Sequence, residues 1–204
     1  IPLVSVQGDL QYIDRPAIRA VIEPYLNARF LELDVHALRA ELAAMPWVAG
    51  SSVQRIWPDQ LVVHLDEQLP VARWGGGALL NSDGRVFVPD DLAGFVHLPL
   101  LNGPEHSREL VLQRYQQFNR QLRSRGYAIA ELTLQERGSW FLTTSDGIAI
   151  SLGRNQLNDK LERFLTVDRR LLSERRDQIA RIDLRYSNAM ALAWRSPASI
   201  GTGE

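Results

Sequence analysis

The run RIWPDQLVVHLDEQLPVARW, residues 55–74, constrains the fold more tightly than any other stretch of the chain. Proline has no amide proton and holds the residue before it extended, so Trp57 before Pro58 ends one strand. Asp59 can then close the turn by bonding to its own backbone. The segments WVAGSSVQRIW and QLVVHLDEQL on either side are expected to pair as a hairpin. Pro70 should end pairing of the second strand. Trp57 and Trp74 read as packing residues, and Glu67 as a solvent-facing strand residue.

What precedes the hairpin has a clear order. LVSVQG reads as a strand ending at Gly8. Asp14 then caps a helix with Pro16 at its second position and Ile18, Val21, Ile22 and Tyr25 on one face. Asp34 caps a second helix, in which Val35, Leu38, Leu42 and Met45 recur at three and four residues until Pro46 stops it. The resulting order is β-α-α-β-β.

After Trp74 the pattern turns to short strands and turns. GGG at 75–77 lacks the lysine and following helix of a phosphate loop and reads as a junction. NSDGRVF reads as a hairpin on Asp83-Gly84, and FVHLPLL as a strand. A helix from Glu105 to about Arg125 carries Val111, Tyr115, Phe118 and Leu122 on one stripe and ends at Gly126. Three strands follow, turned by Arg137-Gly138 and Asp146-Gly147. A second helix over 156–172 is expected to carry Leu157, Leu161, Phe164, Leu165, Leu171 and Leu172 inward. IARIDLRY and AMALAW are the last strands, before a Ser-, Pro- and Gly-rich tail. The chain is thus expected to be α+β, with a first domain over 1–72, a mixed β domain with two packed helices over 73–195, and a flexible tail over 196–204.

Composition excludes several function classes. With 23 Lys+Arg against 24 Asp+Glu, the chain lacks the positive excess that nucleic-acid binding needs. The arginines of RFLTVDRRLLSERRDQIARIDLRY alternate with Asp168, Glu174, Asp177 and Asp183, and read as a solvated, self-paired face. There is no cysteine, which removes thiol catalysis and disulfides, and the four histidines are scattered, so no metal or cofactor is expected. Asp66 and Glu67 point to opposite faces of their strand, and Ser82 and Ser145 sit in Asp-Gly turns without a base, so no enzyme active site is expected. No apolar run reaches the length of a membrane span.

The last strand is the candidate site. In IDLRYSNAMALAW, Met190, Leu192 and Trp194 alternate with Ala189, Ala191 and Ala193, leaving one face nearly bare and the backbone approachable. As the final strand of the sheet it would offer an unpaired edge to an extended partner segment. The residues alone equally allow an ordinary edge shielded by the tail. The amides of Ala191 and Ala193 are expected to face opposite ways, one of them outward.

The order β-α-α-β-β, with MPWV and the spacing of Trp57, Pro58, Asp59, Leu61, Glu67, Pro70, Ala72 and Trp74, resembles the POTRA module of the FtsQ/DivIB family of bacterial cell-division proteins. ARW, LPLLNGPE, SW, LGR and IDLRY extend the resemblance over the β domain and nearly the whole chain. The resemblance implies a scaffold without catalysis, held in the inner membrane by one N-terminal helix, with this region in the periplasm at the division septum. It also implies docking of FtsB, arriving with FtsL, on the β domain, and of other division proteins on the POTRA module. The implied contacts fall on Arg137, Arg185, Tyr186, Ser187, Asn188, Ala189, Met190, Ala191, Leu192 and Trp194. Four of these, in two places, depart from the family pattern: Ser187-Asn188-Ala189 stands where several relatives have an acidic residue, Ser and Gly, and Arg137 is offset by Gly138 from the position before SW. The rival reading is a POTRA-bearing assembly component for outer-membrane proteins, a class that normally carries several such modules and a barrel.

Overall fold

A computed structural model describes residues 3–26 and 32–196. Packing divides the chain into two units: residues up to Pro70 together with Arg85–Asp91, and Val71–Gly84 together with the residues from Leu92 onward. The expected tail falls, but for Ser196, outside the described residues.

The first unit has the β-α-α-β-β order: strand β1 (Leu3–Gln7), helices α1 (Arg15–Leu26) and α2 (Val35–Ala43), and strands β2 (Val48–Ile56) and β3 (Gln60–Glu67). β3 lies in the middle of the sheet, parallel to β1 and antiparallel to β2. The alternation of QLVVHLDE sends Leu61, Val63 and Leu65 to the helix side, where they meet Ile18, Ile22, Leu38 and Leu42 in one core. Each such fully buried aliphatic side chain contributes about 1.5–3 kcal/mol. Asp34 caps α2 as expected, its Oδ1 accepting the amide of Ala37 at 3.0 Å.

Two expectations for the hairpin are corrected. Trp57 is 69% exposed, whereas Trp74 is 8% exposed. The β2–β3 ladder closes at Ile56↔Gln60, so residue 57 belongs to the turn and has no strand or helix layered over it. Glu67 is not a free surface residue: its carboxylate accepts the backbone N–H groups of Gln11, Tyr12 and Ile13 at 2.7–3.0 Å. It thereby fixes the chain leading into α1, and the charge makes these bonds stronger than neutral ones. Tyr12 stacks on Trp47 at 4.5 Å, and Phe87 meets Trp47 edge-on at 5.1 Å.

The remaining elements are β4 (Pro70–Trp74), β5 (Ala78–Asn81), β6 (Val86–Phe87), β7 (Leu100–Asn102), α3 (Arg108–Arg123), β8 (Ile129–Leu134), β9 (Trp140–Thr144), β10 (Ala149–Gly153), α4 (Leu157–Val167), β11 (Ile179–Asp183) and β12 (Ala191–Trp194). The strands follow the order β12-β11-β10-β9-β8-β7-β4-β5-β6. The expected turns at Gly138 and Gly147 are present, with φ of 85° and 82°, a region only glycine enters without strain. α3 buries Val111, Leu112, Phe118 and Leu122, and α4 buries Leu157, Leu161 and Phe164.

The helix expected over 156–172 is shorter. It stops at Val167 and passes into a π-type turn over Asp168–Leu172, which rotates Leu171 out to 74% exposure. The turn has a reason. Asp168, expected on a solvated face, is fully buried, accepting the Tyr127 hydroxyl at 2.6 Å and pairing with Arg176. Arg176 also lies 4.2 Å over the Tyr127 ring and donates to the Arg125 carbonyl at 2.7 Å. The charge of Asp168 is thus buried only because it is met by a cation and a hydroxyl.

Candidate partner-binding edge

β12 is the terminal strand of its sheet, and no described strand pairs with its outer side. It begins at Ala191, so Ala189 and Met190, expected within it, belong to the approach, and Tyr186, Ser187 and Asn188 form a bend. β12 pairs antiparallel with β11 through Asp183↔Ala191, Ile182↔Leu192 and Arg181↔Ala193.

The direction of each amide follows from the neighbouring ladder. Leu184 donates to Ser151 of β10 at 2.8 Å. Backbone groups alternate sides along a strand, so Leu184 and Ile182 face β10 while Asp183 and Arg181 face β12. Their partners Ala191 and Ala193 therefore both face inward. Arg195, two residues on, agrees with this, donating its amide to Gln178 at 2.7 Å. The expectation of opposite directions for Ala191 and Ala193 is corrected, because residues two apart share a direction. The outward groups are those of Leu192 and Trp194. Around them Tyr186 is 63% and Trp194 47% exposed, Ala191 and Ala193 are exposed, and Met190 and Leu192 are half-buried.

The bend before β12 is held from below. Arg163 on α4 donates one guanidinium nitrogen to the Tyr186 carbonyl at 2.9 Å and the other to the Ser187 carbonyl. Arg185 turns back on Asp183, its Nε at 3.0 Å and its terminal nitrogen at 2.6 Å from the carboxylate. Those bonds hold the Asp183 carboxyl below the usual carboxylate range. Behind them Lys160 is buried, donating to the Leu152 carbonyl at 2.9 Å. Burial, and then the charge of Arg163, push its ammonium below the ordinary lysine value. Gly153 beside them has φ of 76°, a backbone conformation that favours glycine, while a Cβ there would make only ordinary contacts at 3.5 Å from Lys160 Nζ and 3.6 Å from the Arg185 Cα.

Arg137 is exposed in the β8–β9 turn, three strands from β12 and in no described contact with Tyr186. The sequence pattern did not single out Arg163 or Lys160. Nothing local ties residue 163 to carbonyls more than twenty positions away. Among the described residues no group of three or more His, Asp or Glu could hold a metal ion, and no helix is long and apolar enough to cross a membrane.

The family model for the C-terminal part of cell division protein FtsQ/DivIB matches residues 72–185, and that of the FtsQ-type POTRA domain matches residues 2–68. The first match ends at Arg185, so β12 lies beyond it. Proteins named Cell division protein FtsQ are similar over most of the chain. That of Hahella chejuensis is 33% identical over 196 residues, covering 96% of this chain and 70% of the relative. That of Shewanella oneidensis is 37% identical over 194 residues, covering 95% and 74%. That of Coxiella burnetii is 32% identical over 193 residues, covering 95% and 79%.

Proposed function

Because the chain belongs to the FtsQ/DivIB family of cell-division proteins, we propose that it is a scaffold without catalysis that takes an extended segment of FtsB, accompanied by FtsL, onto β12. The observation that carries this reading is the pair of outward-facing backbone positions, Leu192 and Trp194, on the terminal strand. A strand added there gains main-chain bonds, with Tyr186 and Trp194 as exposed aromatic anchors beside it. In this reading the protein works at the inner membrane, with this region in the periplasm at the septum, and its POTRA module recruits further division proteins.

The direction of the amides sets the test. Leu192→Pro deletes an outward N–H, which edge strands tolerate, and should abolish binding of an FtsB peptide in calorimetry while the far-ultraviolet spectrum stays unchanged. Leu192→Ala controls for the side chain and should keep most of the affinity. Ala193→Pro deletes an inward ladder bond and should lower the melting temperature instead. Undiminished binding by a folded Leu192→Pro variant would show that FtsB does not add as a strand here.

A further inference from the structure

We propose that the groove between β1 and α1 is a second peptide-binding surface, which takes an extended segment with apolar side chains at alternate positions flanked by carboxylates. This inference concerns the first unit alone and stands apart from the β12 reading.

The backbone argument comes first. β1 is an edge strand, and no described strand lies on its other side. In a parallel ladder, the residue that bonds its neighbour does so with both its N–H and its C=O. Leu3 donates to the Asp59 carbonyl at 2.8 Å in the register Leu3↔Gln60. Leu3, Ser5 and Gln7 therefore turn toward β3, and Val4 and Val6 turn both backbone groups outward. Two donor–acceptor pairs spaced two residues apart match an extended chain and no other backbone shape.

The groove beside that edge fits the same occupant. It encloses about 480 Å³, with an apolar floor of Val4, Val6, Ile18, Ile22 and Leu26. Every second side chain of an added strand would point at this floor. Its rim carries Arg15 and Arg19, one helical turn apart on α1, and Glu23 a turn further on. Neither arginine forms a hydrogen bond or ion pair with a described residue, so two neighbouring cations stand over an apolar slot. Guanidinium groups bind carboxylates in a bidentate manner, which favours an acidic segment over a neutral or basic one.

The test uses the full chain, ¹⁵N-labelled, titrated with the end-capped peptide Glu-Thr-Val-Thr-Val-Thr-Glu. That peptide presents two valines flanked by two carboxylates on one face in either orientation. Saturable shifts at the Val4 and Val6 amides and around Arg15 and Arg19 are expected. The same peptide with Lys in place of Glu should bind at least tenfold more weakly. The exposed double substitution Arg15→Glu/Arg19→Glu should cost a similar factor, and Val6→Pro, which removes an outward N–H, should abolish the shifts in a folded protein. The β12 amides report separately, so a response confined to Leu192 and Trp194 would overturn this proposal without touching the other. It would equally be overturned by silent Val4 and Val6 amides at about 1 mM peptide, by equal binding of the lysine peptide, or by undiminished binding to the charge-reversed variant.

Discussion

Arg163 offers the sharpest perturbation of the proposed docking edge, because its side chain touches the edge only from behind. Its two guanidinium nitrogens donate to the carbonyls of Tyr186 and Ser187, the residues that present the first aromatic anchor. A hydrogen bond from a charged donor contributes about 1.5–3 kcal/mol where it is sheltered. These two are partly open to solvent, so about 0.5–1 kcal/mol each is the fairer figure, or about 1–2 kcal/mol for the pair. When a binding-competent shape is only fractionally populated, the apparent dissociation constant rises by the inverse of that fraction. Arg163→Ala should therefore weaken FtsB-peptide binding by about 5–30-fold.

Calorimetry reads the affinity, and amide hydrogen exchange over Tyr186–Met190 reads the bend itself, which should lose protection in the same variant. Arg163→Lys keeps the charge but cannot fork two carbonyls, so it should fall between wild type and alanine. Unchanged exchange together with unchanged affinity would refute the anchoring role. Faster exchange with unchanged affinity would remove the bend from the binding site.

Further outcomes follow from burial and charge. Trp74→Ala should cost about 3–5 kcal/mol and lower the melting temperature, while Trp57→Ala, at an exposed turn, should change stability by less than about 0.5 kcal/mol in the same denaturant titration. Asp168→Ala strands the Arg176 charge and the Tyr127 hydroxyl, and should cost about 3–5 kcal/mol, more than Tyr127→Phe, measured by urea unfolding. The Tyr25 hydroxyl donates to Glu41 at 2.7 Å, and that bond first, then burial, pushes its pKa up to about 12. A raised folded pKa means that the stabilisation is whole below pH 10 and fades as pH rises from 10 toward 12. Ultraviolet titration should show Tyr25 among the late-ionising tyrosines, beside Tyr115 and Tyr127, whose hydroxyls burial pushes up, and Tyr25→Phe should remove one of them.

The parts of the fold that were legible in the sequence are those decided within one element or one turn. Leu61, Val63 and Leu65 alternate, Asp34 caps α2 and Gly138 and Gly147 turn their hairpins through local chemistry that any window of the sequence displays. Glu67 and Asp168 were misread for the opposite reason. The amides that Glu67 binds lie 54–56 positions away and the hydroxyl that Asp168 binds 41 away, so only the assembled fold reveals their roles. Trp57 misled because a large aromatic residue beside a strand favours burial on average, yet the turn has no layer above it to supply that burial. The amide directions in β12 are an intermediate case: periodicity alone assigns Ala191 and Ala193 to one side, but which side depends on a bond between β11 and β10.

A comparison among sheet edges shows that β12, like β1, lacks the guards that the other edges carry. Exposed edges invite uncontrolled pairing, and proteins blunt them with charge, proline, brevity or bulges. β6 is two residues long and is followed closely by Pro89. β2 carries a register shift at Val48/Gly50 and holds Arg55 near its end. β12 has no proline and no charged residue within it; the one bulge in its ladder is in β11, between Ile179 and Arg181. The adjacent Arg195 is no guard either, since its guanidinium is engaged with the carbonyls of Ile179 and Asp146. An edge left this bare over Ala191–Trp194, with the bend before it clamped by Arg163, costs the protein aggregation resistance. Such an edge is retained where a partner strand covers it. Replacing Ala193, exposed on that face, by Lys supplies the missing guard: it should reduce self-association of the chain in sedimentation and, in the same variant, weaken FtsB-peptide binding. Loss of neither would mean that the edge is already shielded.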